Sequence, residues 1–82
     1  MEKFDIMLIR IDYRTKNVPA VQSLLTQFGC SIKVRLGLHE AGNVCSSSGL
    51  IILQLTGDDA TLSDFENKLA AIEGVSAKRV TI

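Results

Sequence analysis

The chain has 82 residues, enough for one domain, and a domain of that size buries only about 60% of the surface its unfolded chain exposes. Nine basic and nine acidic residues cancel and neither sign gathers into a stripe, which argues against direct binding of nucleic acid. The longest apolar runs, such as 50–53, fall far short of the roughly 20 residues that cross a bilayer. With two cysteines and no secretory signal pattern, a soluble cytoplasmic protein is expected, with no membrane partner.

Residues 4–13 (FDIMLIRIDY) are dense in isoleucine and apolar on both faces, the pattern of a strand buried on two sides. Asn17 is placed to cap a helix whose Pro19 sits in the first turn; Val18, Val21, Leu24, Leu25 and Phe28 then recur at helical spacing until Gly29. Residues 31–39 (SIKVRLGLH) alternate. Ile32, Val34, Leu36 and Leu38 fall on one face and Lys33, Arg35, Gly37 and His39 on the other, which predicts a strand with one wet or ligand-facing side.

A Gly- and Ser-rich stretch leads to a second strongly apolar strand at 50–56 (LIILQLT). Gly57, Asp58 and Asp59 end it and offer capping carboxylates to a helix striped by Leu62, Phe65, Leu69 and Ile72, with Gly74 as its stop. Residues 75–82 form a last strand, whose apolar positions shift phase from Val75 and Ala77 to Val80 and Ile82, predicting a bulge or an edge position.

The order strand, helix, strand, strand, helix, strand predicts an α+β, ferredoxin-like single domain over residues 1–82. Its four-stranded antiparallel sheet carries both helices on one face, in strand order 4-1-3-2. Two helices cannot hide both sides of so apolar a sheet. Phe4, Ile6 and Leu8 oppose Met7, Ile9 and Ile11, and Leu50 and Ile52 oppose Ile51, Leu53 and Leu55. Five uncovered aliphatics would forfeit on the order of 10 kcal/mol of burial, so a homo-oligomer, dimer or higher, formed through the sheet is expected; a partner protein on the free face is the alternative.

The stretch 37–49 (GLHEAGNVCSSSG) concentrates the residues able to do chemistry. His39 and Cys45 are two ligand types six residues apart, too few for a metal site, and no metal or other cofactor is expected. Cys45 with His39 and Glu40 supplies the parts of an activated nucleophile, but on a hairpin without rigid support, so the chain is read as non-enzymatic. Anion binding fits better. Arg35 and His39 flank Gly37 on one strand face, leaving a notch about 7 Å long, and Ser46, Ser47, Ser48 and Gly49 offer hydroxyls and backbone N–H groups; together these seven are the candidate ligand site for a small anionic effector. Alternatively, Arg35 pairs with an acid across a subunit interface and the Ser/Gly run is a simple loop. Cys30 and Cys45 lie at opposite ends of a predicted strand, too far apart for a disulfide. The central strands carry aliphatic residues where an RNA-recognition motif carries stacking aromatics, and nothing matches the arginine-bearing loop of acylphosphatases.

Over nearly its whole length the chain resembles ACT-like regulatory domains and the ligand-binding half of nickel-responsive repressors. It is similar, more closely, to the small stand-alone family of iron-only hydrogenase system regulators. The residues carrying that likeness are MEKFDIMLIRIDYR, VRLGL, GLIILQLTGD and LSDFENKLAAIEGVSAKRVTI. The resemblance implies a role in hydrogenase expression or maturation. Where nickel repressors place two histidines and a cysteine, this chain has Arg35, Gly37 and Gly49, so their metal site is not expected here. No ribbon-helix-helix segment precedes residue 4, so any control of transcription is expected to act through another protein. The sequence therefore predicts a regulatory or effector-sensing module, with a protein–protein adaptor as the alternative. A metal protein or enzyme using His39 and Cys45 is the least favoured reading.

Overall fold

A computed structural model describes residues 3–12, 16–38 and 48–82. Its elements run β1 (Asp5–Asp12), α1 (Val18–Gln27), a 3-10 turn (Gly29–Ser31), β2 (Ile32–Leu38), β3 (Ser48–Leu55), α2 (Asp59–Ala70) and β4 (Val75–Thr81). The strands form one antiparallel sheet in the order β2-β3-β1-β4, the expected order read from its other edge. The chain thus has a ferredoxin-like α+β fold. No described helix is long and apolar enough to cross a membrane.

Alternation divides the central strands as the sequence predicts. Met7, Ile9 and Ile11 of β1 and Ile51, Leu53 and Leu55 of β3 are buried beneath the helices. Val21, Leu25 and Phe28 close the core from α1 and its end, and Leu62, Phe65 and Leu69 from α2. The Phe28 and Phe65 rings stack with centroids 4.5 Å apart and planes 14° from parallel, joining the two helices where they meet over the sheet.

Helix ends follow their local chemistry, with one exception. The Asp58 carboxylate accepts a hydrogen bond from the Thr61 backbone N–H at 2.7 Å, and that bond holds its carboxyl below its ordinary pKa. Asn17 precedes α1 but makes no side-chain cap; its amide instead donates to the Glu73 carbonyl at 3.3 Å, tying the start of α1 to the turn before β4. Gly74 sits in that turn at φ 84°, a conformation that an L side chain resists. Gly74→Ala is expected to cost about 1 kcal/mol, read as a lowered urea midpoint with an unchanged slope.

Two corrections concern the outer strands. β4 pairs with β1 in unbroken register from Thr81 to Val75, so its phase change is no bulge: β4 is the edge, the other option the pattern allowed. The irregularity lies in β2, where the register shifts between Ile32 and Val34. Ile32 pairs with Leu55 and packs against the core, whereas Val34 and Leu36 pair with Gln54 and Ile52 on the helix-free face. Ile32 therefore does not share a face with Val34 and Leu36, because one extra residue reverses every side chain beyond it.

Candidate functional site

The candidate site lies along β2, an edge strand, on the side facing the helices. Arg35 pairs with Leu53 and Gly37 with Ile51, and both partners are core residues, so Arg35 and Gly37 stand on the helix-covered face. Yet both are exposed, since the helices leave this edge uncovered. A β-carbon placed on Gly37 would meet no atom of the described residues within 4 Å, so among them the position beside Arg35 is open.

α1 positions the guanidinium. Arg35 Nη2 donates to Gln22 Oε1 at 3.1 Å, and Gln22 is a neutral amide. Among the described residues Arg35 has no carboxylate partner. Its remaining N–H donors, in the fork geometry that suits carboxylate and phosphate, are not spent on any described acid.

The other predicted site residues separate. Ser48 and Gly49 are strand residues at the start of β3, opposite Asp12 and Ile11, rather than part of an anion-cradling loop. Ser48 lies on the helix-free face, opposite in direction to Arg35; Gly49 is buried on the helix side, two residues along β3 from the Ile51 that pairs with Gly37. His39, Ser46 and Ser47, with Glu40 and Cys45, lie outside the described residues. Cys30 is a free, exposed thiol.

The sequence reading missed a second polar cluster, centred on Arg79 of β4. Arg79 continues the inward alternation of Val75 and Ala77, so its side chain turns under α2 and is only 13% exposed. Its Nη2 pairs with Asp59, its Nη1 donates to Ser63 Oγ at 3.1 Å, and its Nε lies 3.4 Å from Asp5 Oδ1. Asp5 Oδ1 also accepts from the Thr81 hydroxyl at 2.6 Å, which together with the Arg79 charge holds the Asp5 carboxyl below its ordinary pKa. The outward backbone N–H of Arg79 donates to Glu66 Oε2 at 2.9 Å, so α2 covers part of the β4 edge. With acids and hydroxyls on every side, this arginine is a fastener between sheet and helix rather than a ligand site. The phase shift within 75–82 was its signal, since an inward position holding arginine breaks an apolar alternation as a bulge would.

Sheet order and helix placement define the class: a small ferredoxin-like α+β fold. No family model and no curated protein matches the chain. Among solved structures, the uncharacterized protein TM1266 from Thermotoga maritima is similar at TM-score 0.84 and 32% identity, over 99% of each chain. This protein belongs to the family of TM1266. A formyltetrahydrofolate deformylase from Pseudomonas putida KT2440 is similar at TM-score 0.55 and 9% identity, across 96% of this chain and 28% of that one; at that identity the likeness is one of fold.

Proposed function

We propose that this domain is a non-enzymatic, effector-sensing regulatory module that binds a small anion at Arg35 on the β2 edge. The observation that carries this reading is a guanidinium oriented by a neutral amide, unpaired with any described carboxylate, beside the open position at Gly37. β2 is also suited to report occupancy. Arg35 and Leu36 are adjacent in sequence but project to opposite faces, so an anion ordering the strand on the helix side acts one residue from the free sheet face. The link to iron-only hydrogenase expression or maturation is part of the proposal and rests on the sequence segments quoted above. A cytoplasmic setting accords with it.

The test is a thermal-shift screen of small carboxylates and phosphates on wild type and Arg35→Ala. Arg35 is exposed, so the substitution is expected to leave the ligand-free melting temperature within about 1–2 °C. It is expected to abolish the rise that an effector produces in wild type. A shift that survives Arg35→Ala would place the ligand elsewhere. If no compound shifts the wild type, the second reading gains: an adaptor that docks other proteins on its apolar sheet face, favoured by the exposure of Val34 and Leu36 there.

A further inference from the structure

The helix-free face of the sheet carries an apolar strip running obliquely across all four strands. It passes from Leu36 on β2 through Ile52, Leu8 and Ile6 to Val80 on β4 and Ile82 beyond it. Ile52, Leu8, Ile6 and Val80 are partly exposed, while Leu36 and Ile82 at its ends, with Phe4, Val34 and Leu50 beside it, are 37 to 77% exposed. At roughly 200 Å² for a large side chain, those residues alone present about 500 Å² of apolar surface, the upper range for a free monomer.

We infer that this face is covered by a second copy of the chain, the two sheets stacked face to face about a two-fold axis running along the strip. The inference is independent of the Arg35 site.

Area and charge both favour a second copy. Two such strips and their rims cover more than about 1,000 Å² in total, which meets the requirement of a specific interface. Beside the strip, Arg10 of β1 and Lys78 of β4 stand together on diagonal positions of the register, with no ion-pair partner among the described residues; Asp12 is the next residue beyond Arg10 on the same face, farther from the strip. Gln54, a neutral amide, lies on the other flank. A two-fold axis along the strip lays apolar on apolar and carries the cationic pair of each copy over the Gln54 flank of the other. An axis across the strip would set the cations of the two copies against each other. The face is therefore self-complementary in one arrangement, and that arrangement seats Ile52 and Ile6 on the axis, each opposite its own copy. The Arg10 and Lys78 stems can cover the rim while their charged ends reach water.

Sedimentation equilibrium of the full chain is expected to show a dimer at tens of micromolar. Leu36→Lys, at a half-exposed edge position, is expected to weaken it by about 100-fold or more while leaving the far-UV circular dichroism unchanged. Ile52→Cys, in a chain with Cys30→Ser and Cys45→Ser, is expected to cross-link to itself with a short bis-maleimide, which tests the geometry without adding a charge. A monomeric wild type would overturn the inference and leave the face to a different protein. So would a dimer indifferent to Leu36→Lys, or one in which Ile52→Cys fails to cross-link.

Discussion

Phe65→Ala is expected to bring the domain close to unfolding, with a loss of about 3–5 kcal/mol. Phe65 is fully buried in α2, between Leu62 and Leu69 on the same stripe, and its ring lies against Phe28 at the end of α1. Truncation removes the apolar contact, the ring stacking and the only aromatic bridge between the two helices among the described residues. Small domains hold about 5–15 kcal/mol in all, and this chain is at the small end of the scale, so the loss takes a large share of the total. Urea unfolding followed by circular dichroism at fixed protein concentration measures it. Phe65→Leu, which keeps most of the apolar volume, is expected to lose much less; an equal loss would mean that the ring's shape matters more than its burial.

The second large effect concerns acid. Asp5 and Arg79 are 15% and 13% exposed, the Thr81 hydroxyl and the Arg79 guanidinium both favour the Asp5 carboxylate, and its folded-state pKa is lowered from the ordinary 3.8. A depressed carboxylate binds fewer protons folded than unfolded. Its contribution is therefore complete above the ordinary value and is lost as pH falls from about 4 down through the lower folded-state value. Asp5→Asn is expected to flatten the fall in stability over that window, and Thr81→Val to narrow the window from its acid end, because losing the hydroxyl raises the folded-state value toward the ordinary one. At neutral pH, Arg79→Met is expected to cost about 2–3 kcal/mol, because it strips a charge-assisted partner from Asp5 and the Ser63 and Asp59 contacts together. If the stability of Asp5→Asn tracks wild type through acid, the Asp5–Arg79 contact is a surface ornament and this account of β4 fails.

Both expectations rest on parts of the molecule that differ in how far they could be read beforehand. The stripe holding Phe65, the stop before β4, the central apolar strands and the sheet order follow from local periodicity and turn chemistry, which operate over a few residues. So does the conclusion that one sheet face is left apolar and bare, since two helices suffice for a single layer. Contacts between distant residues decided the rest. Alternation within β2 separates Arg35 from Leu36 but does not say which of them faces the helices; the register shift at Ile32 and Val34, set by pairing with β3, settles that. Pairing with β1 extends β3 back to Ser48 and Gly49 and takes both out of the supposed loop. The Asn17 amide donates to a carbonyl 56 residues away, a contact that no local pattern shows. Arg79 finds Asp5 at a separation of 74 residues and Glu66 at 13, and only the closed fold brings those carboxylates together. Local sequence determined where each element starts, stops and keeps its apolar side; the partner strands, which impose register and pair distant charges, decided which polar groups are used up and which remain exposed.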